Sequence, residues 1–147
     1  MKLRVVFAVV VSAWAVSVSS SVIRADQAPA TTKSVLDGVF TEAQAKRGAE
    51  VFAASCSSCH GADLGGDGFA PPLSGPEFAA NWNDLTVGDL FERMRISMPP
   101  EGPGTVPPSA KADILAHVLN VNRYPAGQTE LEPKTEVLKQ IKIEQKK

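Results

Sequence analysis

Apolar residues recur at helical spacing in three stretches of the chain. The first follows Thr41-Glu42-Ala43-Gln44, which reads as a capping box: the Thr hydroxyl and the Gln amide satisfy free backbone donors. Ala45, Gly48, Ala49, Phe52 and Ala53 then fall along one face, so a helix is predicted to start at Thr41. Gly48 and Phe52 sit four apart on that face, and the glycine lets another helix approach closely. A second helix is predicted from about Thr86 to Ile96, with Thr86 as N-cap and Asp89 in the first turn, where it suits the helix dipole. Leu90, Phe91 and Met94 form its apolar face, and Ser97-Met98-Pro99-Pro100 ends it because proline cannot continue a helix. A third helix is predicted from about Ser109 to Arg123, with Ile114, Leu115, Val118, Leu119 and Val121 as a broad stripe.

The segments between are irregular. Gly61 to Gly75 is rich in Gly and Pro, and a compact protein keeps so long a loop only if something organises it. Glu101 to Pro108 is a second such segment. No alternation of period two stands out, and no internal repeat is visible. The fold class expected is all-α: a small domain of helices with long ordered loops.

The ends have their own character. Residues 1–25 read as a secretory signal: Lys2 and Arg4, an apolar stretch from Val5 to Val18, then Ile23-Arg24-Ala25 with a small final residue. The apolar core is shorter than the roughly 20 residues a membrane span needs, though an uncleaved anchor is the alternative. Export to the periplasm follows. Residues 26–38, rich in Ala, Thr and Pro, read as a mobile linker, residues 39–127 as the domain, and residues 128–147 as a C-terminal tail. In the tail, Val137, Leu138 and Ile141 are candidates to pack back on the domain.

Composition adds little beyond charge. The 147 residues are 44% hydrophobic and only 6% aromatic, and a small domain poor in aromatics must fill its core some other way. Cleavage after Ala25 removes three of fifteen bases and none of sixteen acids, leaving a net charge of −4. A mildly acidic surface disfavours nucleic acid as a partner and suits a basic docking face on a protein.

The chemistry is concentrated at Cys56-Ser57-Ser58-Cys59-His60, the pattern for covalent haem attachment. Two thiols three positions apart at the end of a helix turn reach the two vinyl groups of one porphyrin. The next residue places its imidazole under the iron. A dithiol redox site would need a βαβ pattern, which is absent. A structural disulfide would close a strained ring, and a zinc site would want a fourth ligand where only His117 remains.

A haem iron with His on one side commonly takes Met on the other for electron transfer. Met94 lies on the apolar face of the second helix and reads as core. Met98, just past that helix and before Pro99-Pro100, is the better candidate. His117, among apolar residues of the third helix, is the rival bis-His ligand. An axial histidine usually donates its free ring N–H to a carbonyl, and the candidate acceptor is Pro71, in Pro71-Pro72-Leu73. Trp82 could give its indole N–H to a haem propionate, with plain core packing as the alternative. Arg93 and Arg95 are further propionate candidates, with a solvated helix face as the default.

At these residues the chain resembles the class I monohaem cytochrome c family. The match spans about Phe40 to Gly127 and rests on Gly48-x-x-x-Phe52, Cys-Ser-Ser-Cys-His, Pro71-Pro72-Leu73-Ser74-Gly75, Met98-Pro99 and the closing helix, in that order. The resemblance implies three to five helices packed around one haem c, first and last helices crossing at Gly48 and Phe52, Pro71 as the partner of His60, and Met98 as distal ligand. Where the family commonly has an aromatic residue in the last helix facing the glycine, this chain has His117, which favours a packing role for that ring. Gly75–Trp82, Met98-Pro99-Pro100 and Asn122–Gly127 look more narrowly like cytochromes that accompany periplasmic dehydrogenases, including quinoprotein alcohol dehydrogenases. The expected role is electron transfer from such a dehydrogenase toward an oxidase or another cytochrome, with no substrate transformed. The alternatives are a fixed haem subunit of a dehydrogenase complex, with the tail as docking arm, or a peroxidase or gas-binding protein with open iron.

Overall fold

The computed structural model describes residues 33–145. The signal segment expected at 1–25 and the first part of the expected linker lie outside the described residues.

The helices form where the capping chemistry places them. α1 runs Glu42–Ser55, with Thr41 as N-cap and its hydroxyl accepting from the Gln44 N–H at 3.0 Å. The other half of the expected capping box does not form. Gln44 is buried and its side-chain amide turns to the tail, donating to the Leu131 carbonyl at 3.0 Å and accepting from the Leu131 N–H at 2.8 Å. α2 is a single turn, Ser57–His60. α3, Gly75–Trp82, carries Pro76 in its first turn; the sequence pattern predicts no helix here and assigns Gly75 to the loop. α4 runs Val87–Ser97, and here both halves of the capping box form between Thr86 and Asp89. α5 runs Pro108–Val121 and α6 is a short turn, Thr135–Leu138.

The core is built on the crossing of α1 and α5. Ala45, Gly48 and Phe52 of α1 are buried against it, as are Ile114, Leu115, Val118 and Leu119 of α5. A Cβ at Gly48 would collide with the Asp113 carbonyl and come within 3.0 Å of the His117 Cβ. The absence of a side chain is what lets the two helices touch through backbone. Phe52 and His117 meet beside this point with ring centroids 5.5 Å apart at 54°. Arg47 reaches across the crossing to Asp113 and Glu130 at 3.1 and 2.9 Å.

The start of the described chain differs from expectation, whereas the tail packs back on the domain through Leu138 and Ile141 as expected. Residues 33–38, expected as part of a mobile linker, are structured: Val35 is fully buried in a 3-10 turn, Val35–Asp37, whose N-terminus is closed by a capping box between Ser34 and Asp37. β1, Lys33–Ser34, pairs in parallel with β2, Ile141–Lys142, and an isolated antiparallel bridge joins Lys142 to Thr86. The tail is a belt rather than an arm. Leu131, Leu138, Ile141 and Ile143 are buried in the common core, and Ile143 exchanges backbone hydrogen bonds with Asp84 and Leu85. No described helix is long and apolar enough to cross a membrane.

Candidate haem site

The Cys-Ser-Ser-Cys-His segment is presented by the break between α1 and α2. α1 ends at Cys56, whose N–H still donates to the Phe52 carbonyl at 2.9 Å. The Cys56 carbonyl then accepts from the N–H groups of both Cys59 and His60, at 3.2 and 3.0 Å. One tight turn therefore carries both thiols and the imidazole. The thiols are free despite their spacing, with Cys56 half-buried against the core and Cys59 exposed. Burial pushes the Cys56 thiol up, opposed by the positive charge of Lys111. Among the described residues no three His, Cys, Asp or Glu side chains gather as a metal cluster, which offers nothing to a zinc reading.

The His60 ring is held by the Gly- and Pro-rich loop. Nδ1 lies 3.0 Å from the Pro71 carbonyl oxygen. A carbonyl can only accept, so this contact makes Nδ1 the protonated nitrogen and leaves the Nε2 lone pair available to a metal. The loop that carries Pro71 is organised by its own backbone. Gly66 donates to the His60 carbonyl at 2.8 Å, Leu73 donates to the Leu64 carbonyl at 2.8 Å, and the Leu64 side chain is buried. Asp67 accepts from the N–H groups of Phe69 and Ala70 at 2.9 and 2.8 Å, bonds that hold its carboxyl below the usual range. Gly66 has φ +77°, and a Cβ there would strike the Ala70 carbonyl, so this position accepts only glycine.

Two residues that sequence reading did not single out tie the loop and the Met98 segment to α5. Asn122, at the end of α5, donates to the carbonyls of Leu73 and Val118 at 2.9 and 2.8 Å and accepts from the Gly75 N–H at 3.0 Å. Lys111, in the first turn of α5, is only 2% exposed. Its ammonium donates to the carbonyls of Met94 and Pro103 at 3.1 and 2.6 Å, with Arg95 O at 3.5 Å. Burial lowers its pKa, and the charges it feels are Arg95 and Cys56. A helix C-terminal asparagine is a recognisable cap in sequence. A buried lysine carries no sequence signal, because lysine is a surface residue by default.

Met98 follows α4 directly. Its backbone is extended, its N–H donates to the Met94 carbonyl at 3.0 Å, and its side chain is half-buried. Met94 packs against the core. Trp82, at the end of α3, is also half-buried against the core, while Phe78 of the same helix is fully buried. The His117 ring is occupied by Phe52, and burial lowers its pKa. Arg95 is paired with Glu92 through two hydrogen bonds at 2.9 and 2.6 Å, which hold the Glu92 carboxyl down at about 2, and Arg93 is exposed. Two free thiols on one turn and an imidazole with a fixed tautomer and a free Nε2 fit a covalently attached haem c.

No curated protein matches the chain, and no solved structure does. A family model does match, over residues 43–118, from α1 through the haem motif and Met98 into α5. That span covers half of the chain, and with the fold and the motif it settles the class: this chain belongs to the family described as cytochrome c oxidase, cbb3-type, subunit III, within the monohaem class I cytochromes c.

Proposed function

We propose that this chain is an exported one-haem electron carrier in which Cys56 and Cys59 form the thioethers and His60 and Met98 are the axial ligands. Haem c, when bound, supplies a single reversible electron. The chain's own residues attach it, orient the proximal ring and shield one side from water. The observation that carries this reading is the His60 Nδ1–Pro71 carbonyl contact of 3.0 Å, one residue after a pair of free thiols. It presents Nε2 as a ligand of fixed orientation and raised basicity. Met98 is proposed for the opposite side because it closes α4 on a proline-stiffened loop, whereas Met94 is engaged in the core. Trp82 is proposed as a propionate partner on the strength of its half-buried indole.

The electron donor proposed is a periplasmic dehydrogenase and the acceptor an oxidase or another cytochrome. The family's description speaks of an oxidase subunit, which favours an oxidase on the acceptor side. The tail favours a shuttle over a fixed subunit, since among the described residues its Leu131, Leu138, Ile141 and Ile143 are spent on the chain's own core.

The test is potentiometry of the purified haem protein together with a peroxide assay. A single reversible one-electron wave and no peroxide-dependent turnover support the carrier. Sustained turnover of peroxide, or a monomer found only in tight complex with a dehydrogenase, contradicts it.

A further inference from the structure

We propose that Lys111 is the positioning residue for Met98: its buried ammonium staples the end of α4 to the far side of the Met98 loop and holds the sulfur toward the haem. The inference rests on the reading of Met98 as an axial ligand.

The geometry is that of a bracket. Met94 and Arg95 stand before Met98 and Pro103 after it, and Lys111 Nζ donates to carbonyls on both sides, at 3.1 and 3.5 Å on α4 and 2.6 Å at Pro103. An ammonium has three donors, and here all of them face backbone oxygens. The other hydrogen bonds of the loop are local. Met98 N–H donates to Met94, Gly102 to Pro99 and Thr105 to Gly102, so none reaches another part of the fold. Beside the burial of Val106, Lys111 brings the polar tertiary anchor, and it does so from the first turn of α5, which is fixed in turn by the α1 crossing.

A lysine this buried is costly unless something specific requires it, and no carboxylate among the described residues forms an ion pair with it. The last turn of α4 is a favourable place for a cation, because its free carbonyls carry the negative end of the helix dipole. Packing alone would be served as well by methionine or leucine. What the ammonium adds is a directional hold on three carbonyls that bracket one side chain.

The experiment compares wild type, Lys111→Met and Lys111→Gln as haem-loaded full chains. Two quantities are read: the weak far-red ferric band of a methionine–iron bond, and the rate at which carbon monoxide binds the ferrous protein. Without the staple the sulfur leaves more often, and Lys111→Met is expected to bind carbon monoxide about tenfold faster or more, the weight of one charged hydrogen bond in an opening equilibrium. Its far-red band weakens in parallel. Lys111→Gln, which keeps a neutral donor, falls between. Gln44→Ala, which loosens the tail, lowers thermal stability and leaves both readouts at wild-type values, so general destabilisation is told apart from loss of the hold. Wild-type band and rate in either lysine variant overturn the proposal. A wild type lacking the far-red band, with no response to Met98→Ala, would instead remove Met98 as ligand and with it the basis of the inference.

Discussion

The α1–α5 crossing makes a prediction in which two physical effects oppose each other. Gly48→Ala removes a poor helix former from the middle of α1, which by propensity alone stabilises by about 1 kcal/mol. The structure says that packing wins. The added Cβ would overlap the Asp113 carbonyl, a backbone group that cannot rotate away, and would press on the His117 Cβ at 3.0 Å. Relief requires the helices to part along the face that buries Ala45, Phe52, Ile114, Leu115 and Val118. Overpacking of this kind costs up to about 3 kcal/mol, and rigid backbone on one side puts it at that end. The net is a loss of about 2 kcal/mol. For a domain of this size, at about 4 °C per kcal/mol, thermal unfolding of the haem-loaded protein should shift down by about 8 °C. Ala43→Gly, at an exposed site in the first turn of the same helix, should also destabilise, by up to about 1 kcal/mol. Opposite exchanges that both lower stability are the signature. A Gly48→Ala protein as stable as wild type, or more stable, would refute the close crossing.

Other consequences follow from the same packing. Gln44→Ala should cost about 2–4 kcal/mol, because it strands both the N–H and the carbonyl of buried Leu131; thermal melts, and limited proteolysis of the tail, read the loss. His117 is held neutral by burial, so its folded pKa lies below the ordinary 6.5. The unfolded chain then takes up a proton first as pH falls, and stability present above pH 6.5 should decline below it. In His117→Phe that part of the decline should vanish, and an unchanged pH profile in denaturant titrations would contradict the assignment.

What the sequence disclosed and what it hid divide along local and non-local physics. The haem motif, the N-caps at Thr41 and Thr86 and the apolar stripe of α5 are written in neighbouring residues, and the structure forms helices there to within about two residues. Gly75–Trp82 was harder to read because Ser74-Gly75-Pro76 signals a turn, although proline at a helix start is compatible with the helix it begins. Local pattern places Gln44 in a capping box, and a contact 87 positions away takes its side chain instead. The same distance effect explains the ends. Val35 and Ile143 look unremarkable alone, and they are ordered because β1 and β2 bring them onto one core. Lys111 and Asn122 gain their roles only when α5 lies beside two loops.

Whether Met98 is the distal partner of His60 is read from the ferric absorption spectrum. Wild type and Met94→Ala should both show the weak far-red band of a methionine–iron bond, and Met98→Ala should lose it and bind carbon monoxide when reduced. A wild type without that band that binds carbon monoxide readily, or loss of the band in Met94→Ala rather than Met98→Ala, would exclude Met98 as the ligand.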